Sequence, residues 1–223
     1  MSHVERTCPL CATSGAPAYF EDATRRYARC GECDLIFVFP EDRPRPLEEV
    51  IRYLQHENDS ADAGYATFLA QLADPLCEVV PHGARGLDYG SGPSPVLAEM
   101  LTARGRPTEA YDPLFKADAG LLAETYDFVT CSEVVEHAHD PRALFATLAS
   151  LLKPAGVLGV MTRLHDADTN FETWWYRRDI THVCFYSVAT MRWLAEHRGW
   201  QLSVPAINVG LFHAGSARSA SIP

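Results

Sequence analysis

The chain has 223 residues, 47% hydrophobic and 22% charged, with seven cysteines and a formal net charge of −10. That length and composition allow one full core with a small appendage and are ordinary for a soluble globular protein. No apolar run approaches the ~20 residues of a membrane span, no signal-peptide core opens the chain, the cysteines suit metal or buried thiols in a reducing cytoplasm rather than disulfides, and the acidity is a poor fit to phosphate backbones.

In chain order, the first feature is a pair of knuckles, Cys8-Pro9-Leu10-Cys11 and Cys30-Gly31-Glu32-Cys33, with 18 residues between them. Two C-x2-C pairs at this spacing place four thiolates around one Zn²⁺ in a closed structural site. Gly31 suits a turn whose N–H groups point at sulfur. Tyr27–Arg29 and Leu35–Phe39 are predicted strands of a zinc ribbon covering residues 1–40. Arg25, Arg26 and Arg29 cluster there, so the question of a nucleic-acid patch stays open for this module. Pro40–Pro46 is a linker by composition. Leu47, Val50, Ile51 and Leu54, and then Tyr65, Phe68, Leu69 and Leu72, recur at helical spacing. They predict two helices within 41–80, separated by a polar turn at His56–Asp59.

Gly86-Leu87-Asp88-Tyr89-Gly90-Ser91-Gly92-Pro93-Ser94-Pro95 reads as a buried strand breaking into a glycine turn that opens a helix. Such a turn lets backbone approach a cofactor closely. Ser94 is the expected N-cap and Pro95 the first helical residue. The helix is expected over Val96–Ala103, with Val96, Leu97, Met100 and Leu101 inward and Gly105 ending it. Thr108–Asp112 predicts a short second strand ending in an acid, where both ribose hydroxyls of an adenosine can be accepted. Only 13 residues separate Asp112 from Tyr126, too few for a helix, a third strand and a loop. Tyr126–Ser132 predicts the next strand, Asp140-Pro141 a helix start, Lys153–Gly156 a turn and Val157–Thr162 a further strand. An aromatic and polar segment follows over 171–186. Ser187 is then expected to cap a helix through Met191, Trp193 and Leu194. Trp200–Val204 and Ile207–Phe212 are expected as an antiparallel edge pair, and 214–223 as a frayed tail.

The Asp88-x-Gly90-x-Gly92 pattern resembles motif I of class I S-adenosylmethionine (SAM) methyltransferases. Tyr126–His137 resembles the family's "YDxVxxxEVxEH" and Leu151–Thr162 its "LLKPGGxLxxxT". With the acid-ended second strand, four segments over 86–162 match in order and spacing, and the chain is identified as a member. The resemblance implies an α/β, Rossmann-like, seven-stranded sheet over 81–213 behind the zinc ribbon. In the family a third strand lies between the segments that end at Asp112 and begin at Tyr126, and the resemblance implies that it is reduced here to a stub near Leu121-Leu122, with Tyr126–Ser132 the fourth strand. It also implies SAM as cofactor, gripped by Asp88, Gly90, Gly92 and Asp112, with Cys131 and Ser132 beside it at the end of the fourth strand. Asp179-Ile180-Thr181-His182 is similar to the "D-x-T-H-x-x-F-Y-S" segment of ubiquinone-pathway relatives. There His182 is the expected proton acceptor, with Asp179 or Tyr176 orienting it or binding the acceptor. Trp174, Trp175 and Tyr186 are expected to wall an apolar or aromatic acceptor; the alternative is that His182 caps the next helix and the tryptophans are core. Glu133, Glu136 and His137 share the E-x-x-E-H arrangement proposed in those relatives to hold a divalent cation. The function so implied is methyl transfer to a small-molecule acceptor through oxygen, nitrogen or carbon. Two alternatives stand beside it. One is an RNA methyltransferase, since some ribosomal-RNA guanine methyltransferases carry a four-ligand zinc module. The other is a non-catalytic zinc-ribbon adapter with a degenerate methyltransferase domain.

Overall fold

A computed structural model describes residues 6–54 and 63–215. The turn expected at His56–Asp59 and the tail from 216 onward lie outside the described residues. In chain order the strands are β1 (Ala18–Glu21), β2 (Arg26–Arg29), β3 (Ile36–Val38), β4 (Gly86–Tyr89), β5 (Thr108–Tyr111), β6 (Tyr126–Ser132), β7 (Leu152–Met161), β8 (Cys184–Phe185), β9 (Gln201–Ala206) and β10 (Val209–His213). The helices are α1 (Pro46–Leu54), α2 (Ala63–Val79), α3 (Val96–Ala103), α4 (Pro141–Ser150) and α5 (Val188–Arg198). They form two compact units. Unit one comprises Met1–Glu57, Glu133–Phe145 and Thr162–Leu194; unit two comprises Asn58–Ser132, Ala146–Met161 and Ala195–Pro223. Among the described residues no helix is long and apolar enough to cross a membrane.

Unit two is built on a sheet of order β5-β4-β6-β7-β10-β9. The strands from β4 to β7 run parallel, and β10 is antiparallel to both β7 and β9. The parallel strands are buried, as apolar runs such as Phe128–Cys131 require. Among the described residues the sheet has six strands, one fewer than the seven of the family pattern. The missing strand is the third: Leu121–Ala123, the expected strand stub, is a 3-10 turn, the 13 residues after Asp112 leaving no length for a strand. The expected turn at Lys153–Gly156 lies inside β7. There the pairing with β6 jumps from Tyr126↔Leu152 to Phe128↔Val157, and Ala155 has φ +62.

Helix α2 lays Leu69, Leu72, Ala73 and Leu76 against Val157, Met161, Val209 and Leu211 of the sheet. Gly159 permits this approach, because a Cβ there would sit 2.9 Å from Leu72 Cδ1. Helix α3 has the expected bounds, with Leu97, Ala98 and Leu101 buried and Val96 and Met100 packed at the margin. Its N-cap is Pro95 rather than Ser94, and no side chain caps it; the Ser94 carbonyl instead accepts the Val96 N–H.

Unit one holds an antiparallel sheet of order β1-β2-β3-β8. Strands β2 and β3 match the expected ribbon strands. β1 and the two-residue β8, which pairs Ile36↔Phe185 and Phe37↔Cys184, had no sequence signal of their own. An aromatic core lies on this sheet: the Phe171 ring meets Tyr27 edge-on at 5.1 Å and Phe185 at 5.4 Å. Asp42, in a 3-10 turn at Pro40–Asp42, pairs with Arg26 at 2.7 Å.

Candidate functional site

The four knuckle sulfurs converge. Cys8 and Cys33 stand 3.6 Å apart and Cys11 and Cys30 3.4 Å apart, with all four donor atoms within 4.8 Å of one another. A tetrahedral Zn²⁺ with bonds of about 2.3 Å needs sulfur edges of roughly 3.8 Å, so the donor set fits that ion. Hydrogen bonding from the Cys33 thiol, against burial and helped by the amides of Cys11 and Leu10, brings Cys8 down to about 5. The same bond and burial push Cys33 up, and burial pushes Cys30 up to about 11, so the four sulfurs share their protons as one cluster.

In unit two the glycine turn is tied to the ends of β4 and β5. Gly90 and Ser91 donate to the Tyr111 carbonyl at 2.8 and 3.1 Å. Gly92 N–H donates to Asp112 Oδ2 at 3.0 Å. The other oxygen, Oδ1, accepts the amides of Leu114 and Phe115 at 2.8 and 3.0 Å. Gly90 and Gly92 have φ +80 and +66, a region that a side chain disfavours. The structure therefore brings Gly90, Gly92 and Asp112 into one cradle with an acid at its wall, which fits the glycine loop and ribose acid of a SAM site. Asp88 lies beneath it, buried, with Oδ1 accepting the Thr130 hydroxyl at 2.8 Å. Burial pushes its carboxyl up to about 7. Asp88 therefore supports the cradle from below rather than presenting itself to solvent. Cys131 is buried and Ser132 half-buried, immediately after Thr130 on β6. Sequence reasoning passed over Leu114 and Phe115, whose exposed apolar side chains flank the acid clamp. The signal available was two large apolar residues directly after the acid-ended strand.

In unit one, β6 gives way to a strained turn. Glu133 has φ +52, and a 3-10 turn at Val135–His137 follows. This brings Glu133, Glu136 and His137 to the segment 175–182. The Tyr176 hydroxyl donates to Glu136 Oε1 at 2.6 Å, with Thr162 Oγ1 at 3.1 Å and Glu133 Oε2 at 3.5 Å. Glu136 is fully buried and its Oε2 has no hydrogen-bond partner among the described residues. Burial first, then the Glu136 charge, pushes Glu133 up to about 9. Burial and the two carboxylates likewise raise the Tyr176 phenol well above its ordinary value.

His182, Asp179 and Tyr176 are together, and of the two expected orienters Tyr176 is the one that meets the imidazole. His182 Nδ1 donates to the Tyr176 backbone carbonyl at 2.7 Å, and the two rings lie 4.1 Å apart. The Asp179 carboxylate does not orient the imidazole. It accepts from the Thr181 amide and hydroxyl at 2.9 and 2.6 Å and from Arg52 Nε at 3.0 Å. Burial opposes but does not cancel those bonds, which hold Asp179 well below the usual carboxylate range. Burial lowers the His182 pKa, so the ring is neutral with its lone pair on Nε2. His137 Nδ1 meets the Thr181 carbonyl at 3.1 Å, giving the same tautomer. Glu136, His137 and His182 place one donor atom each within 4.8 Å of one another. Helix α5 is capped by Ser187, whose Oγ accepts the Thr190 amide, and not by His182. Trp175 is 63% exposed and so is not core. With Trp174, Arg163, Asp166, Asn170 and Thr173 it lines an open cleft of about 380 Å³.

Comparison with known proteins agrees with this architecture. The chain is 35% identical over 106 residues to a ubiquinone biosynthesis O-methyltransferase of Xanthomonas axonopodis pv. citri, covering 37% of this chain and 44% of that protein. It is 34% identical over 71 residues to the Photorhabdus laumondii protein of the same description, covering 32% of this chain and 30% of that protein. It thus spans less than half the length of these curated relatives. Among solved structures, the Burkholderia thailandensis 1,6-didemethyltoxoflavin-N1-methyltransferase with bound 1,6-didemethyltoxoflavin and S-adenosylhomocysteine is similar. Its TM-score is 0.54 at 14% identity over 90% of this chain and all of that one, a likeness of fold. Magnesium protoporphyrin IX methyltransferase from Synechocystis is similar at a TM-score of 0.50 and 16% identity, over 77% of this chain and 94% of that one. Residues 48–203 match the family model described as "Methyltransferase domain"; the chain belongs to that family and has the class I fold of SAM-dependent methyltransferases.

Proposed function

We propose that the chain is a SAM-dependent methyltransferase acting on a small-molecule acceptor. The observation that carries the reading is the clamp of Asp112 on Gly92, Leu114 and Phe115, which fixes a glycine cradle and an acid side by side. Gly90, Gly92 and Asp112 grip the cofactor, Asp88 supports their loop from below through its bond with Thr130, and Cys131 and Ser132 stand beside it at the end of β6. When bound, SAM supplies a methyl group made electrophilic by the sulfonium. The chain's own residues align the partner and take the proton the acceptor loses. His182 Nε2 is the proton acceptor in this reading. Tyr176 orients it through its carbonyl, and Asp179 braces the loop that carries both. The cleft beside Trp174 and Trp175 has the volume for a small polar acceptor. Zn²⁺ on Cys8, Cys11, Cys30 and Cys33 is structural.

The test is calorimetric titration of the zinc-loaded chain with SAM and S-adenosylhomocysteine. Binding in the micromolar range is expected. Asp112→Asn loses charge-assisted bonds worth about 1.5–3 kcal/mol and weakens binding by roughly 10- to 100-fold. A folded, zinc-loaded chain that binds neither compound belongs to the adapter reading. RNA affinity that falls steeply with salt belongs to the RNA reading. With an acceptor in hand, His182→Gln leaves SAM binding intact and lowers turnover by roughly 10²- to 10⁴-fold.

A second reading of the same cluster is a divalent cation on Glu136, His137 and His182. It is favoured by the unpartnered Glu136 Oε2 and by two imidazoles whose Nδ1 atoms are each held by a backbone carbonyl, the arrangement of metal-ligating histidines. Titration with Mn²⁺ after the ribbon is filled with zinc separates it from the first reading. Glu136→Gln abolishes a heat that belongs to this site.

A further inference from the structure

We infer that Arg25, carried by the zinc ribbon, is a positioning residue for Tyr176, His137 and His182; this rests on the role given to His182 above. In sequence Arg25 belongs to a basic cluster of the kind that meets phosphates. In the structure it is 7% exposed and unavailable for that purpose. The β1–β2 turn aims it inward: Asp22 Oδ1 accepts the amides of Thr24 and Arg25 at 2.8 and 2.9 Å, and the Thr24 hydroxyl at 2.8 Å.

The guanidinium then meets four backbone carbonyls. Nη1 donates to those of Asp179, Ile180 and His182 at 3.2, 3.3 and 3.3 Å, and Nη2 donates to that of Arg177. These carbonyls close the 3-10 turn at Trp175–Arg178 and form the loop that delivers His182. The end of such a turn leaves carbonyls without intrahelical partners and favours a cation. A second strut leaves the same ribbon turn, from Asp22 Oδ2 to Arg177 Nη1 at 2.5 Å.

The loop held in this way supplies the groups that set both imidazoles. The Tyr176 carbonyl accepts from His182 Nδ1, and the Thr181 carbonyl stands against His137 Nδ1. Arg25 therefore acts through those carbonyls: it holds the loop that keeps the proton on Nδ1 and the lone pair on Nε2 of each ring. The planar guanidinium reaches carbonyls so spread with the N–H groups of its two terminal nitrogens. The three donors of a lysine ammonium radiate from one point and reach fewer of them. The ribbon is thus part of the acceptor machinery and not only a metal-stabilised appendage.

The experiment is ring-¹⁵N histidine NMR on the full zinc-loaded chain, wild type against Arg25→Lys. Zinc content and S-adenosylhomocysteine affinity are measured on the same samples. The wild type is expected to show His182 and His137 each as a single Nδ1–H tautomer. Arg25→Lys is expected to keep its zinc and its cofactor affinity and to lose the single-tautomer pattern at both rings, while His82 and His213 of unit two are unmoved. An unchanged His182 pattern in a folded Arg25→Lys chain overturns the inference. Should that variant not fold, Asp22→Asn, which loosens the turn aiming Arg25 but leaves the guanidinium in place, is read in the same way. Unchanged rings there overturn the inference equally. The ring signature needs no turnover, so full methyl transfer by His182→Gln would remove the proton-accepting role of His182 and leave this result standing.

Discussion

Asp88 and Asp112 look alike in sequence, two acids at the ends of neighbouring strands, and the structure gives them different physics. Asp112 is held by three amides at the cradle, whereas Asp88 is buried with one hydroxyl for company. Its folded carboxyl, pushed to about 7 by burial, keeps a proton that the unfolded carboxyl releases near 3.8. Between those values the folded state binds more proton than the unfolded state. Stability therefore falls as pH rises through this window, by at most ~1.4 kcal/mol per pH unit, and above it the loss stays in place and no longer changes with pH through this group. Denaturant unfolding of the apo chain at a series of pH values checks this. Asp88→Asn should give a flatter profile from pH 4 to 7, and an unchanged slope would show that Asp88 is ionised in the fold. Motif spacing located both acids, but burial, which separates their roles, comes from β6 packing alongside. The same holds for Glu136 and His182. Each carries its own local motif, but their meeting depends on the strained turn at Glu133 and on a loop more than forty residues further along the chain, which no local pattern encodes.

At the scale of elements, what was legible carried its own signals. Helix α3 was written in its apolar spacing and in Gly105, which has φ +77 just past its end. Helix α4 was written in Asp140, whose Oδ1 accepts the Ala143 amide. The two-residue β8 is a strand only through its pairing with β3, and β1 only through β2, so neither announced itself. The glycine turn yields a prediction at this scale. Gly92→Ala places a Cβ at φ +66, costing ~1–2 kcal/mol, and draws the amide away from Asp112. The melting temperature should fall modestly and SAM affinity by roughly tenfold; full affinity would show that the turn does not form the cofactor cradle. The ribbon yields another. Cys30→Ser should drop zinc content from one per chain to none and destabilise the β1-β2-β3-β8 sheet. Retention of one zinc in that variant would show that the four thiols are not its ligands.

At the scale of the whole molecule, neither unit is a continuous stretch of chain. Unit one gathers three segments and unit two another three. Removing residues 1–40 therefore does more than detach a terminal module. It takes away β1, β2 and β3, leaving β8 without a partner, and it removes the Tyr27 and Phe37 rings and the Arg25 fork from unit one. Each buried aromatic ring so lost or exposed is worth about 1.5–3 kcal/mol. All the residues of unit two lie beyond the cut. The shortened chain is thus expected to keep S-adenosylhomocysteine binding while losing zinc, the near-ultraviolet circular dichroism of the packed Trp174 and Tyr176 rings, and methyl transfer. Calorimetry and circular dichroism on one preparation decide the matter. If the near-ultraviolet signal and transfer both survive the cut, the segments 133–145 and 162–194 hold their aromatic core without the ribbon, and the acceptor machinery owes nothing to the zinc knuckles. If binding survives while both are lost, the amino-terminal forty residues are a working part of the acceptor half.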